Sequence, residues 1–297
     1  MSAVHSKSSP TALSVAYRRT LANIPFCDEI FRHYKQLFSP SDFDEEKQKK
    51  VSGDTPYIEA RSLIIDRLLG KKPNISQTLE LACGLTQRGV IFGNEHPDAR
   101  CVEVDLLEMI ERKSRVLDSL HRDRVIQRPA NLSLVAGNVT DMASLSMATR
   151  SFRNEPIAIL FEGLMRYLSM FEKRLVAKHC HALLSHYGGY VITPDVVTKT
   201  GVGALGEMMK KILGESYVGA KASREVSNAR LGFDPAEHYF ENVGAAIHFY
   251  ESLGFRVGTH CLADIVDELA SPGLLGIDIE IVREAFQSLH AFVMSPA

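Results

Sequence analysis

A glycine and two acidic residues of this sequence follow segments that are typical of buried strands. Gly84 comes shortly after the segment TLELA, Asp105 follows CVEV, and Glu162 follows IAILF. A strand that enters a helix through a glycine turn presents free backbone N–H groups at one place. An acidic residue about 20 positions further on, at the tip of the next strand, suits the hydroxyls of a ribose. Because ligands of open parallel sheets bind at the carboxyl ends of strands, these residues predict a nucleotide-type cofactor site.

The composition of the glycine turn indicates which cofactor fits. A dinucleotide site needs the three glycines of a GxGxxG motif, whereas the turn here reads ACGLTQRG from residue 82 to 89. Only Gly84 stands where the backbone must approach a ligand, and no place for a pyrophosphate remains. A nicotinamide-dependent oxidoreductase is therefore disfavoured. A cofactor with one ribose and no phosphate, such as S-adenosylmethionine, fits with its ribose at Asp105 and its amino-acid end at Gly84.

A second acidic residue, Glu103, competes with Asp105 for the ribose. The two residues are two positions apart in one predicted strand, so their side chains point to the same face. We favour Asp105, because the tip of the strand is where a ribose would be reached.

Strand-like and helix-like segments alternate around these residues. The segments IAILFEG, YVITPDVV and FRVGTHCL predict strands, and amphipathic helices separate most of the predicted strands. This order is typical of a parallel sheet with helices on both faces, while two late strands close together in sequence suggest an antiparallel edge. We therefore predict an α/β fold: a Rossmann-like, doubly wound, mostly parallel seven-stranded sheet with an antiparallel edge, N-terminal helices and a helical lid insertion.

Five segments in order resemble the class I S-adenosylmethionine-dependent methyltransferases. Within that class they resemble the family of leucine carboxyl methyltransferases and polyketide O-methyltransferases. The segments are the helix that carries Ala60-Arg61 and Ile65-Asp66-Arg67, then ELACGLTQRG, VEVDLLEMIERK, AGNVTDM and LFEGLMRYLS. Together they span about residues 57 to 195, and their common order makes the resemblance fairly specific.

The resemblance implies a role for several residues. Arg61 would pair with the carboxylate of the cofactor, Glu162 would contact its amino end, and Tyr167 would lie near the transferred methyl group. Asn138 and Val139 would flank the adenine. The complete cofactor-binding set that we predict is Arg61, Glu80, Ala82, Gly84, Asp105, Leu106, Asn138, Val139, Glu162 and Gly163. Tyr167 and Arg166 are the predicted catalytic residues, and no metal site is predicted.

The chain departs from the family pattern at three places. Family members usually have Gly-x-Asp-Thr-Arg at the turn, whereas Thr86 and Gln87 precede Arg88 here. Asn138 stands where an aspartate is usual, although an amide oxygen can also accept a hydrogen bond from the adenine amino group. Arg166 replaces a residue that is commonly apolar, and it can reach an acidic substrate. A catalytically reduced interaction module therefore stays open as an alternative.

Composition limits the partners and the compartment. The 34 basic and 36 acidic residues give a net charge of −2, which provides no general attraction to nucleic acid or to anionic membranes. The five cysteines are scattered, without the spacing of a zinc site or a disulfide framework. No apolar run reaches the length of a membrane span. We expect a reduced, cytoplasmic compartment, with no nucleic acid or membrane partner.

The predicted chemistry is O-methylation of a carboxylate. A carboxylate acceptor needs no general base, whereas an alcohol or phenol needs one, and no base is obvious in the sequence. Arg166 or a lid residue would orient the acceptor; the candidate lid residues are Lys210, Lys211, His238 and Tyr239. The acceptor could be a small-molecule acid, a polyketide or peptide intermediate, or a protein C-terminus.

We predict one methyltransferase domain over residues 1–297. Its parts are an N-terminal helical cap (1–56), a cofactor-binding core (57–198), a lid or substrate insertion (199–240) and the C-terminal part of the sheet (241–297).

Overall fold

The computed structural model describes residues 9–38, 43–72, 74–218 and 234–297. Residues 219–233 of the predicted insertion, and residues 1–8 and 39–42 of the predicted cap, lie outside this range. In the described part of the chain, no helix is long and apolar enough to cross a membrane.

Seven strands form a single sheet with the order β3-β2-β1-β4-β5-β7-β6. The strands are β1 (Gln77–Leu81), β2 (Arg100–Asp105), β3 (Leu132–Ala136), β4 (Ile157–Phe161), β5 (Gly189–Thr193), β6 (Phe255–Cys261) and β7 (His290–Pro296). The first five strands are parallel to one another, and β7 pairs antiparallel with both β5 and β6. The predicted doubly wound, mostly parallel sheet with an antiparallel edge is confirmed.

Helices cover both faces of the sheet and its carboxyl edge. They are α1 (Ser9–Thr20), α2 (Cys27–Lys35), α3 (Glu45–Lys50), α4 (Thr55–Gly70), α5 (Arg88–Glu95), α6 (Leu107–Arg122), α7 (Met142–Ala148), α8 (Met170–Tyr187), α9 (Lys199–Leu213), α10 (Val243–Glu251), α11 (Ser271–Leu275) and α12 (Ile279–Phe286). Short 3₁₀ helices cover Thr149–Ser151, Met165–Tyr167, Gly214–Ser216, Pro235–His238 and Leu262–Glu268.

Strand β4 shows why the central strands are continuously apolar. Ile157, Ile159 and Phe161 pack into a cluster that includes residues of α8, while Ala158 and Leu160 face a cluster that includes residues of α4. Because both faces of the sheet are covered, a strand in its middle gains nothing from alternating polar residues. Glu162 follows directly, so the first charged residue of this segment stands at the carboxyl edge.

Strand β5 is shorter than its sequence predicts. The segment YVITPDVV indicates a strand to Val197, but the ladder ends at Thr193 because Pro194 has no N–H to donate. Asp195 therefore lies beyond the strand, at the same edge of the sheet as Glu162.

Candidate functional site

A cavity of about 240 Å³ opens at the carboxyl ends of β1, β2, β3 and β4. Each of these strands is followed by a segment that lines it: Ala82–Thr86, Asp105–Leu106, Gly137–Val139 and Glu162–Leu168. Helix α1 covers the cavity with Ala12, Val15, Ala16, Arg18 and Arg19, and α4 contributes Ile58 and Arg61. The position agrees with the rule that open α/β sheets bind ligands at the carboxyl ends of their strands.

The glycine turn after β1 is held by the acidic residue at the tip of β2. The N–H of Gly84 donates to Oδ2 of Asp105 at 2.7 Å, and the N–H of Leu106 donates to Oδ1 at 2.8 Å. Gly84 has a φ of +50°, which a glycine adopts at little cost. Apart from its two chain neighbours, no described residue has an atom within 4 Å of the place where its side chain would begin, so these residues leave free space beside the turn.

Ala82 lies two residues earlier in the same turn and also has a left-handed backbone, with a φ of +52°. This conformation brings the Cβ atom of an L-residue close to its own carbonyl group, at a cost of roughly 1–2 kcal/mol. The wall of the cavity therefore includes a strained residue.

Glu162 is the centre of a buried cluster of charges. Its Oε1 accepts from Nη2 of Arg61 at 2.9 Å and from Nη2 of Arg19 at 3.0 Å. Nη2 of Arg88 lies 3.7 Å from the other carboxylate oxygen, Oε2. Burial raises the pKa of Glu162, but the three guanidinium groups outweigh burial and hold this pKa at about 2. Glu162 is therefore a carboxylate at any physiological pH.

Glu80 is the one predicted cofactor residue that does not line the cavity. Its carboxylate accepts a hydrogen bond from Arg88, whose Nε donates to Asp66 at 2.6 Å. Arg88, although it begins α5, is only 5% exposed. The sequence suggests a surface cation at this position, whereas the structure shows a buried bridge between β1, α4 and Glu162.

Glu103, the other candidate for the ribose, is not among the residues that line the cavity and is 1% exposed. It pairs with Nζ of Lys113 at 2.6 Å and accepts the N–H of Gly89 at 3.2 Å. Lys113 also donates to Oγ1 of Thr86 at 3.3 Å. Lys113 therefore takes its negative partner from Glu103, and Thr86 contributes a neutral hydroxyl beside it.

Asn138 and Val139 line the cavity after β3, as we expect for residues that flank an adenine. However, Oδ1 of Asn138 accepts hydrogen bonds from the N–H of Thr140 at 3.0 Å and from its hydroxyl at 2.8 Å. The amide oxygen that we expect to accept from an adenine amino group is thus engaged by Thr140 in this structure.

Arg166 and Tyr167 form a 3₁₀ helix in the segment after β4, and both line the cavity. The guanidinium carbon of Arg166 lies 5.5 Å from the centre of the Tyr167 ring. The predicted lid residues divide into two groups. Lys210 and Lys211 are exposed and pair with Glu207 and Glu284. His238 and Tyr239, in contrast, lie at or beside the 3₁₀ helix that packs against Met165–Tyr167.

The side chains around the cavity fit S-adenosylmethionine. Among the described residues none donates a hydrogen bond to Oε2 of Glu162, a buried acceptor suited to an amino group. Buried arginines beside it suit a carboxylate, and Asp105 suits the ribose hydroxyls. The described residues contain no group of His, Cys, Asp and Glu side chains that could hold a metal ion.

Sequence reasoning missed Arg18, Arg19 and Asp54 as residues of this site. Arg18 pairs with Asp54 at 2.8 Å, and both line the cavity together with Arg19. Two adjacent arginines at the end of a helix are most often solvated. Nothing in their spacing shows that α1 lies across the carboxyl edge of the sheet.

A solved structure shows the same fold at low sequence identity. A protein of the DUF574 family from Streptomyces avermitilis superposes with a TM-score of 0.57 at 16% identity, over 90% of this chain and 96% of that one. Magnesium protoporphyrin IX methyltransferase from Synechocystis, with bound S-adenosylhomocysteine, has a TM-score of 0.45 at 9% identity, over 90% of this chain and 94% of that one. A Nostoc punctiforme protein provisionally named an O-methyltransferase gives 0.47 at 10% identity; 83% of this chain matches 59% of that one.

The family comparison is more decisive than these superpositions. No curated protein matches the chain. The family model described as leucine carboxyl methyltransferase matches residues 2–180, more than half of the sequence. This match begins before residue 57, where the resemblance read from motifs begins, so it includes α1 with its cavity-lining arginines. The chain therefore belongs to the leucine carboxyl methyltransferase family and is an S-adenosylmethionine-dependent methyltransferase.

Proposed function

We propose that this protein methylates a carboxylate oxygen of an acidic acceptor. The observation that supports this proposal best is that the acidic side chains in the cavity are already engaged. Asp54 pairs with Arg18, Asp105 accepts two backbone N–H groups, and Glu162 is surrounded by arginines. Burial raises the pKa of the Cys83 thiol well above its usual range. None of these groups is suited to take a proton from an alcohol or phenol, whereas a carboxylate needs no base.

The charge of the cavity supports an acidic acceptor. Among the residues that the structure describes, four arginines line it, Arg18, Arg19, Arg61 and Arg166, against three carboxylates, those of Asp54, Asp105 and Glu162. Arg166 lines the cavity beside the Tyr167 ring, and a guanidinium can bind a carboxylate through two N–H groups at once. We therefore propose that Arg166 receives the acceptor's carboxylate.

We propose the following roles for the cofactor-binding residues, in line with the family resemblance and with their positions around the cavity. Oε2 of Glu162 binds the amino group of the cofactor, Arg61 binds its carboxylate, and Asp105 binds the ribose. Gly84 lets the backbone approach, while Asn138 and Val139 flank the adenine. S-adenosylmethionine, when bound, supplies an electrophilic methyl group. The chain contributes mainly position: Arg166 and Tyr167 hold the acceptor, and α1 excludes water from the reacting atoms.

The family's name supports the same chemistry, because it refers to the methylation of a carboxyl group. We propose the acceptor classes in general terms: a small-molecule acid, a polyketide or peptide intermediate, or a protein C-terminus. The proposed architecture is one domain, with residues 1–56 as a cap and residues 199–240 as the segment beside the acceptor.

The chemistry is tested with labelled S-adenosylmethionine and matched pairs of acceptors. Each pair consists of a carboxylic acid and its amide, or of a peptide with a free C-terminus and the same peptide amidated. We expect label only in the acids, in a form that mild base releases as methanol. Label on a hydroxyl or nitrogen that resists base would overturn the proposal.

The role of Arg166 is tested with two variants on an acid that proves active. Arg166→Met removes the charge and should raise the KM of the acid at least tenfold, while Arg166→Lys keeps the charge and should retain part of the affinity. The Kd of S-adenosylhomocysteine should stay within about threefold in both variants. Equal KM values for all three proteins would show that Arg166 does not bind the acceptor.

A further inference from the structure

A buried carboxylate lies behind the segment that carries Arg166 and Tyr167. Asp195, which is 2% exposed, follows β5, and its Oδ2 accepts the N–H of Leu164 at 2.6 Å and also the N–H of Met165. These two N–H groups begin the turn that ends at Tyr167. Asp195 thus holds the backbone of the turn directly, and Leu164 is itself part of the cavity wall.

The backbone of Asp195 is fixed by the two strands beside it. Oγ1 of Thr193 donates to the carbonyl of Phe161 at 2.9 Å, and the same oxygen accepts the N–H of Asp195 at 2.9 Å. These two hydrogen bonds fix the backbone of Asp195 to the ends of both β4 and β5. The Asp195 carboxylate can therefore determine the position of the turn that it binds.

Lys173, on α8, connects the same region to the end of the insertion. It is 1% exposed, its Nζ donates to the carbonyl of His238, and Nζ lies 5.3 Å from the centre of the Phe240 ring. Burial lowers the pKa of Lys173 to about 8, and the charge of Asp195 opposes this shift. A buried lysine of this kind is retained at a cost, so its contacts need an explanation.

The end of the insertion touches the turn itself. The 3₁₀ helix Pro235–His238 packs against the 3₁₀ helix Met165–Tyr167, and the Thr198 backbone bridges to Phe240. The turn therefore contacts both Asp195 and the end of the insertion.

We propose that Asp195 and Lys173 are positioning residues of the methyl transfer: Asp195 holds the turn that presents Arg166 and Tyr167, and Lys173 ties the end of the insertion to it. Neither side chain lines the cavity, so both act through other residues. The inference rests on the proposed role of Arg166 and Tyr167 at the acceptor. Its first test uses no acceptor and therefore does not depend on which group is methylated.

The chain contains a matched control for Asp195. Glu59 is also a buried carboxylate, 5% exposed, and it accepts the N–H groups of two consecutive residues, Ala270 and Ser271, both at 2.9 Å. These bonds hold the start of α11 and not the cavity. A loss that merely reflects a weakened fold should be similar in Asp195→Ala and Glu59→Ala.

The first experiment measures amide exchange in the complex with S-adenosylhomocysteine. In Asp195→Ala we expect exchange in the peptide 162–168 to be at least tenfold faster, and in Asp195→Asn, which keeps a carbonyl oxygen, much of the protection should return. Glu59→Ala should accelerate amide exchange only near residue 270. Equal exchange rates of peptide 162–168 in Asp195→Ala and Glu59→Ala would overturn the proposal. If Asp195→Ala does not fold, the same comparison is made between Asp195→Asn and Glu59→Gln.

The second experiment uses the absence of tryptophan from the sequence. Tyr239→Trp introduces a single fluorophore next to His238, and combining it with Lys173→Met should shift its emission to the red as the end of the insertion loosens. Lys113→Met, which removes another buried lysine outside the insertion, should leave the emission unchanged. An unshifted spectrum in the Lys173→Met background would show that Lys173 does not hold this segment.

Kinetics with an active acid then separate positioning from stability. Below the unfolding transition, Asp195→Ala should lower kcat/KM for the acid at least tenfold while the Kd of S-adenosylhomocysteine changes less than threefold. Glu59→Ala should leave both unchanged. A parallel loss of cofactor affinity in Asp195→Ala would assign Asp195 to the general integrity of the site and contradict the proposal.

Discussion

At the scale of single residues, the state of the site is set by Glu162. Its side chain is almost completely buried and has three arginines around it, Arg19, Arg61 and Arg88. An isolated carboxylate in that position would take up a proton, whereas this one is ionised with a pKa of about 2. The negative charge of Glu162 can bind an amino group of the cofactor. The same charge also offsets the free-energy cost of burying the three arginines.

The depressed pKa of Glu162 predicts how stability depends on pH. A carboxylate whose pKa falls from 4.5 to about 2 on folding stabilises the folded state above pH 4.5. The stabilisation, about 3 kcal/mol from the size of the shift, is lost as the pH falls towards 2. Urea unfolding between pH 5 and pH 2.5 should show this loss in the wild type. Glu162→Gln should be less stable at pH 5 and should show a smaller loss on acidification; equal pH slopes would contradict the prediction.

A second prediction concerns the strained backbone of Ala82. A glycine adopts its φ of +52° without steric cost, so Ala82→Gly should raise the free energy of unfolding by about 0.5–1 kcal/mol after the entropy of glycine is counted. Arg124→Gly is the control, because Arg124 has a φ of +60° and lies outside the cavity. Both variants should gain stability in urea unfolding, and a loss at position 82 would mean that the Cβ atom contributes packing that outweighs the strain.

At the scale of elements, the start of α5, which follows the glycine turn, packs closely against the sheet. A side chain at Gly89 would begin 2.4 Å from Oε1 of Glu103 and 2.8 Å from a methyl group of Leu132. Glu103 cannot retreat easily, because it is buried and paired with Lys113. The helix can thus approach the sheet closely only with a glycine at this position.

Substitution of two helical glycines tests this close approach. Gly89→Ala should lower the free energy of unfolding by about 2 kcal/mol, the usual cost of overpacking a buried contact. Gly203→Ala, in α9, should instead raise it by roughly 0.5–1 kcal/mol. Outside α9 itself, no described residue has an atom within 4 Å of the added methyl group, and alanine favours helix. Chemical denaturation of both variants measures the difference. An unchanged stability of Gly89→Ala would show that Glu103 and Leu132 yield without cost.

Helix α1 is the element that closes the cavity, and its two arginines should contribute unequally. Arg19 pairs with Glu162, whose side chain is 1% exposed, while Arg18 pairs with Asp54, where the side chains are 16% and 18% exposed. Arg19→Ala should weaken S-adenosylhomocysteine binding at least tenfold in calorimetry, because α1 loses its attachment to Glu162. Arg18→Ala should weaken the same binding less than about threefold, because Arg18 pairs with Asp54 instead of Glu162. Similar effects of both variants would show that α1 is held by other contacts.

At the scale of the whole molecule, the strand-end residues of the site meet at one edge of the sheet. The order β3-β2-β1-β4-β5 places the carboxyl ends of five parallel strands side by side, with β1 between β2 and β4. Gly84, Asp105 and Glu162 are therefore neighbours although they are far apart in sequence. β7 enters from the opposite direction and closes the sheet between β5 and β6, away from the cavity.

Ligand binding should consequently stabilise the whole fold. A ligand at about 100 times its Kd adds about 2.7 kcal/mol to the free energy of unfolding. S-adenosylmethionine and S-adenosylhomocysteine should each raise the Tm in a concentration-dependent way in scanning calorimetry. NAD should leave the Tm unchanged, because the turn has no place for a pyrophosphate. A shift with NAD alone would contradict the assignment of the cofactor.

The sequence by itself determined the architecture and the part of the cavity wall that lies at the strand ends. Short apolar runs such as Ile157–Phe161, flanked by helical segments, predict the buried strands of a sheet covered on both faces. Glycine and acidic residues at strand ends predict a ligand site, and Gly84, Asp105 and Glu162 do line the cavity. These features are local, so spacing along the chain is sufficient to find them.

Only the tertiary structure decided which charged residues meet in the site. That Arg19 on α1 meets Glu162 after β4, that Arg88 is buried beside Glu80, and that Asp195 holds Leu164 all depend on contacts between distant segments. A charged residue has no periodic signature that distinguishes a solvated side chain from a buried, paired one. Its role is set by which opposite charge the fold brings within about 3 Å, and only packing in three dimensions determines that.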